Sequence, residues 1–110
     1  MKPRDLFDLS GNVAIVTGGA RGLGKIIALA VEWGKYNINV NAIAPGIIET
    51  DLTRKRLEDK EYFDVWIDRT PLKRIGKPRD LSGAIIYLSS EASDFVTGNT
   101  IMIDGGYKVQ

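Results

Sequence analysis

A β-branched run, a cluster of glycines and an amphipathic stretch follow one another near the start of this 110-residue chain, and that succession restricts its fold more than anything else in it. Val13-Ala14-Ile15-Val16-Thr17 is short and uniformly apolar, the pattern of a strand buried on both faces, as parallel strands are. Thr17-Gly18-Gly19-Ala20-Arg21-Gly22-Leu23-Gly24 turns the chain. Leu23, Ile26, Ile27 and Ala30 then fall on one face of a helix, and Gly34 offers a stop.

The alternation continues downstream. Ile38, Val40, Ala42 and Ala44 alternate with asparagines and Ile43, which predicts a second strand over 38–44, ended by Pro45-Gly46. Residues 51–68 carry Leu52, Leu57, Phe63, Val65 and Trp66 among many charges, an irregular helical pattern suited to a lid. Lys77-Pro78-Arg79-Asp80 opens a clearer helix, with proline in the first turn and Leu81, Ala84, Ile85 and Leu88 on one face. Thr100 to Asp104 reads as a third strand closed by Gly105-Gly106. The expected fold class is therefore α/β, a Rossmann-like parallel sheet reduced to about three strands in two or three layers, as one domain over residues 1–110. If the strands pair in chain order, right-handed crossovers put both helices on one face. The apolar face left bare predicts a homo-oligomer.

Composition removes whole classes of chemistry. There is no Cys and no His, so thiol nucleophiles, disulfides, histidine bases and the usual zinc sites are absent, and no metal is expected. Lys and Arg total 15 against 14 Asp and Glu, and the basic residues from Arg54 to Arg79 sit among acids without interleaved aromatics. That pattern predicts no nucleic-acid partner. With 44% hydrophobic residues but no apolar run near the length of a span, no membrane partner is expected. MKPRDLFDLSGN lacks the apolar core of a secretory signal, so export is not indicated and the cytoplasm is the expected location. Ser89, Ser90 and Ser93 read as helix-end residues, Trp33 and Trp66 as packing aromatics, and Glu91 and Asp94 as parts of a turn.

The glycine loop leaves a predicted strand and enters a predicted helix, the context in which such loops cradle phosphates. Gly18 permits the sharp turn, Gly22 lets the backbone approach a pyrophosphate, and Gly24 lets helix and strand pack closely. The helix start offers unpaired amides and positive potential to an anion. Arg21 has the charge to meet a 2′-phosphate, which would favour NADP, or equally to stand in solvent.

The spacing T-G-x-x-x-G-x-G resembles that of the short-chain dehydrogenase/reductase family, a nicotinamide-dependent Rossmann group. Further segments agree with it. Asn41-Ala42-Ile43-Ala44-Pro45-Gly46-Ile47-Ile48-Glu49-Thr50 resembles the family's loop after its sixth strand. Pro71-Leu72, Arg74-Ile75-Gly76 and Pro78 resemble the approach to its last large helix, and Asp94, Thr97-Gly98 and Asp104-Gly105-Gly106 its C-terminal strand. The nearest subgroup is gluconate 5-dehydrogenase-like. The resemblance implies NAD or NADP as cofactor. It assigns the phosphate side to Thr17, Gly18, Ala20, Arg21, Gly22, Leu23 and Gly24, and the nicotinamide carboxamide to Pro45, Gly46, the backbone near Ile48 and the hydroxyl of Thr50.

The same resemblance exposes what is missing. Val31 to Ile38 is similar to the end of the family's active-site helix, so the chain jumps between about Lys25 and Val31 over the middle of the family's fold. At about 30 residues per strand-helix-strand unit, roughly 100 residues or more are skipped. The family's chemistry needs a Tyr whose phenol exchanges a proton, a Lys four residues on that favours its phenolate, and a Ser. Here Tyr36 is followed at that spacing by Val40, Tyr62 by Trp66 and Tyr87 by Glu91, and Tyr107 lies too near residue 110. No catalytic residue is therefore assigned. The acidic residue that would hold the ribose is also missing from the tip of the next strand, where Ala44-Pro45 stands. Dinucleotide binding is expected to be weak or absent. The readings that remain are an inactive dinucleotide-binding module, a structural product, natural or engineered, without a ligand, and an active dehydrogenase if the 110 residues belong to a longer protein.

Overall fold

The computed structural model describes Asp5 and residues 23–109. The predicted strand over 13–17 and most of the glycine loop lie outside the described residues. The described elements are helix α1 (Leu23–Trp33), strand β1 (Ala42–Pro45), helices α2 (Asp51–Leu57), α3 (Lys60–Arg69) and α4 (Arg79–Ser89), and strand β2 (Thr100–Ile103). Single 3-10 turns occupy Gly34–Tyr36, Glu91–Ser93 and Tyr107–Val109. β1 and β2 pair as a two-stranded sheet. The Ala42 N–H donates to Asn99 O and the Gly46 N–H to Ile103 O, a register that advances in the same direction on both strands, so the pair is parallel.

The chain forms two compact units, one built from residues up to Ile43 with Gly83–Ile101, the other from Ala44–Ser82 with the chain from Met102 onward. In the first unit the helix that begins at the glycine loop runs unbroken to Trp33. Gly34 does not stop the chain sharply. It starts a 3-10 turn that ends at Asn37, whose left-handed backbone (φ 59) sends its N–H back to Gly34 O. Of the predicted apolar face, Ala30 is buried, Ile26 is half-buried and Ile27 is 55% exposed. A side chain on Gly98 would come within 3.4 Å of Ala30 Cβ, and Gly98 also has a positive φ of 72, so only glycine gives this turn its shape beside the helix.

The strand predicted over 38–44 starts later, at Ala42. Its leading asparagines are engaged through their side chains instead. Asn39 Nδ2 donates to Asp94 O (3.1 Å), Asn41 Nδ2 to Val96 O (2.8 Å), and Asn41 Oδ1 accepts the Asn99 N–H (3.0 Å). Between them the Val40 N–H donates to Thr97 Oγ1, and Val40 O accepts the Gly98 N–H at 2.7 Å. Backbone groups that a regular ladder would pair are thus satisfied by amide and hydroxyl side chains.

In the second unit the helical stretch expected over 51–68 is broken in two. Asp59 is extended, and its carboxylate accepts the Tyr62 N–H at 3.1 Å, an N-cap that starts α3 afresh. Trp66 packs at 4.9 Å between ring centroids against Tyr107 and edge-on to Tyr62 at 6.1 Å. Buried hydroxyls across the described residues are all bonded locally: Thr70 donates to Trp66 O, Ser90 to Tyr87 O and Ser93 to Ser90 O. Helix α4 shows the face read from the sequence, with Leu81, Ala84, Ile85 and Leu88 half-buried and Gly83 and Ile86 exposed.

Candidate functional site

The candidate site in the second unit begins where β1 ends. Pro45 is the last residue of that strand, and Gly46 follows it against Asp104. A Cβ on Gly46 would stand 2.8 Å from Asp104 Cα, so the close approach of these two backbones excludes any side chain there. Asp104 fixes the opposing turn. Its Oδ1 accepts the Gly106 N–H and its Oδ2 the Lys108 N–H, at 2.9 and 3.0 Å. Gly105 (φ 62) and Gly106 (φ 90) lie so close to Thr70 and Pro71 that a Cβ on either would meet them within 3 Å. The Leu72 N–H donates to Gly105 O, so two segments read separately in the sequence, Pro71-Leu72 and Asp104-Gly105-Gly106, are brought together.

Beyond Gly46 the chain makes an isolated parallel bridge, Ile48 with Gly76. The Gly76 N–H donates to Ile47 O (3.0 Å), and the Glu49 N–H donates to Gly76 O (2.8 Å). Gly76 therefore spends both of its backbone groups on the residues flanking Ile48. In a strand the N–H and C=O of one residue point to the same side, so those of Ile48 face away from Gly76. On that side the Ile48 carbonyl accepts the Thr53 hydroxyl at 2.6 Å. Thr50, the N-cap of α2, donates its N–H to Thr53 Oγ1 (2.8 Å) and holds its own hydroxyl 3.3 Å from the same oxygen. The Ile48 amide therefore faces away from Gly76, while the Thr50 hydroxyl, two residues on, lies against Thr53 Oγ1.

A cavity of about 520 Å³ lies beside this loop, with Ile47, Ile48, Arg74, Gly76 and Asp80 in its wall. Arg74 grips Asp80 with both guanidinium nitrogens, at 2.8 and 3.0 Å. The Arg74 guanidinium first, and then the Lys77 N–H on Asp80 Oδ2, hold the Asp80 carboxyl well below the usual carboxylate range. A smaller cavity of about 260 Å³ is lined in part by Pro45, Gly46, Trp66 and Tyr107.

Of the residues assigned from the sequence, Pro45, Gly46, Ile48 and Thr50 thus stand together on one loop. Leu23 and Gly24 open α1. Thr17, Gly18, Ala20, Arg21 and Gly22 lie outside the described residues. Sequence reasoning missed Thr53 and Asp80. Both leave a signal, since a hydroxyl three residues after an N-cap threonine and an acid three residues after Lys77 are side chains placed to reach back to a backbone N–H at a helix start. The described basic side chains that meet tyrosines lie over ring faces, Lys35 over Tyr36 at 5.1 Å and Arg56 over Tyr62 at 4.4 Å from the ring centroids.

Loops at the carboxyl ends of parallel strands are where open α/β sheets take their ligands, and this fold is of the Rossmann-like α/β class. A family model described as enoyl-(acyl carrier protein) reductase matches residues 18–108, and the chain belongs to the short-chain dehydrogenase/reductase family of NAD(P)-dependent oxidoreductases. It is 47% identical over 85 residues to 2-dehydro-3-deoxy-D-gluconate 5-dehydrogenase of Escherichia coli K12, covering 77% of this chain and 34% of that protein. It is 44% identical over 82 residues to galactitol 2-dehydrogenase (L-tagatose-forming) of Cereibacter sphaeroides, covering 74% and 32%. Among solved structures it is similar to a gluconate 5-dehydrogenase from Burkholderia cenocepacia J2315 in complex with NADP and tartrate, at a TM-score of 0.77 and 39% identity over 80% of this chain and 34% of that one. The chain spans about a third of the length of the curated relatives it matches.

Proposed function

We propose that these 110 residues are a truncated, single-domain dinucleotide-binding module that takes NAD or NADP weakly and transfers no hydride by itself. The observation that carries this reading is the Ile48–Gly76 bridge, which turns the Ile48 amide away from its partner strand, two residues before Thr50. Pro45, Gly46, Ile48 and Thr50 would hold the nicotinamide carboxamide, and Thr17, Gly18, Ala20, Arg21, Gly22, Leu23 and Gly24 the pyrophosphate. A bound dinucleotide would supply the hydride-carrying ring. What the chain lacks is a phenol with an ammonium one helical turn away to exchange the proton.

Titration with NADH and NADPH, followed by nicotinamide fluorescence, tests the module. A rise that saturates at millimolar cofactor, and is lost when Thr50 and Gly22 are replaced, is the expected result. A flat titration sinks the reading and leaves a structural role without a ligand. Turnover of a sugar acid or sugar alcohol, the kinds of compound named for the relatives, by material of the stated length sinks the claim that no hydride moves.

Self-association is part of the same reading. Val31 is 79% exposed and Phe95 fully exposed in the first unit, and Leu52 is 95% exposed in the second, large apolar side chains of the kind that association covers. Light scattering that gives the mass of one chain, with no apolar dye bound, counts against it.

A further inference from the structure

We propose that Arg74 and Asp80 are a positioning pair for the Ile47–Thr50 loop: their fork closes the turn that carries Gly76, and Gly76 is what fixes the direction of the Ile48 amide. This rests on the reading of that loop as the carboxamide site, but its structural half can be decided without any ligand.

Gly76 lies within the turn that runs from Arg74 to Asp80. Both ends of that turn are tied. Arg74 Nη1 and Nη2 reach the two carboxylate oxygens of Asp80, and Arg74 Nη1 also donates to Ile75 O at 3.3 Å. Asp80 Oδ2 accepts the Lys77 N–H at 2.7 Å, and the Asp80 N–H donates to Lys77 O at 2.8 Å. A planar fork holds a carboxylate in one orientation, which a flexible ammonium does not. Gly76 is thus presented with its N–H and C=O fixed in space, and it spends both on Ile47 and Glu49. The contact is close as well as bonded, since a Cβ on Gly76 would meet Ile48 Cδ1 at 2.5 Å and Ile47 O at 3.3 Å. With the fork open, the turn retains the Lys77 bonds but loses the tie that spans Gly76. The loop then samples orientations in which the Ile48 amide no longer keeps its direction. Both residues stand in the cavity wall, and in this account both act through Gly76.

The test is amide hydrogen exchange, read by NMR on the whole chain, for the unsubstituted protein, Arg74→Gln, Arg74→Lys and Asp80→Asn. Arg74→Gln is expected to speed exchange of the Glu49 and Gly76 amides by about threefold, the scale of a partly exposed ion pair, while the Ala42 and Gly98 amides keep their rates. Asp80→Asn, which also weakens the bond to the Lys77 N–H, should have the larger effect, and Arg74→Lys should restore part of the protection. Where NADH binds the unsubstituted chain, its affinity should fall by the same factor in the same order. Exchange that rises equally at all four amides, or at none, overturns the proposal. Failure of the unsubstituted chain to bind NADH overturns the reading of the site alone, and the exchange rates still decide the role of the pair.

Discussion

Replacing Gly46 by alanine adds one methyl group where the chain has no room for it. The new Cβ would lie 2.8 Å from Asp104 Cα and 2.9 Å from Asp104 Cβ, more than half an ångström inside ordinary contact. Neither neighbour is the free end of a side chain, so relief must come from moving backbone. Any shift that opens the gap stretches the bond from the Gly46 N–H to Ile103 O, now 2.9 Å, towards the limit of a hydrogen bond. Losing it costs about 1 kcal/mol, and overpacking adds roughly 1–3 kcal/mol. Removing a glycine from the unfolded chain gives back about 0.4–1 kcal/mol. The net expectation is a destabilisation of about 1–3.6 kcal/mol, or roughly 5–18 °C in the melting temperature for a chain of this size. Gly83→Ala is the internal comparison. Gly83 is exposed in the middle of α4, and a Cβ there meets nothing within 4 Å. That variant should gain about 0.5–1 kcal/mol in helix propensity. Thermal unfolding followed by circular dichroism on the three proteins, at one concentration, reads both. A Gly46→Ala protein that melts at or above the unsubstituted temperature would refute the claim that the two backbones touch here.

Two further outcomes are expected. Asn41→Ala removes a side chain that bonds Val96 O and the Asn99 N–H, leaving one part-buried carbonyl without that partner and one exposed N–H to water, and should cost about 1–2 kcal/mol in a urea titration; Asn39→Ala, which loses one exposed bond, should cost less. Because Arg74 and the Lys77 N–H lower the carboxyl pKa of Asp80 in the folded chain, their contribution is present above the unfolded value of about 3.9 and is lost as pH falls through that value towards the folded one. The melting temperatures of the unsubstituted protein and Asp80→Asn should therefore differ near neutral pH and converge below about pH 4, and a constant gap down to pH 2 contradicts that sign.

Much of the α/β order was legible because periodicity reports burial directly. The helix starting near Leu23, the helix from Arg79 and the strand from Thr100 all follow apolar spacing, and the structure places them within a residue or two of the expectation. The strand over 38–44 was misread at its start because asparagines look neutral in a pattern count. Their function as side-chain ties depends on Asp94, Val96 and Asn99, which no local window contains. The break at Asp59 was missed for a different reason: an acid in a charged stretch is indistinguishable from a surface residue until its carboxylate is seen on the Tyr62 N–H. On the candidate site, the residue types of the Pro45–Thr50 loop pointed to a segment that the structure holds against Gly76. The partner that orients it, Gly76, was read only as part of a motif, because a bridge formed by one residue on each side leaves no periodic trace.

The asparagine ties also set the order in which this chain can assemble. Asn39 and Asn41 reach partners 55 to 58 residues further along, so none of these bonds can form until a long intervening segment has been closed into a loop. Closing it costs entropy that grows only with the logarithm of its length, but the cost falls before any of the ties can form. During synthesis the residues around Asn41 must therefore wait, unpaired, for the segment near Asn99 to emerge.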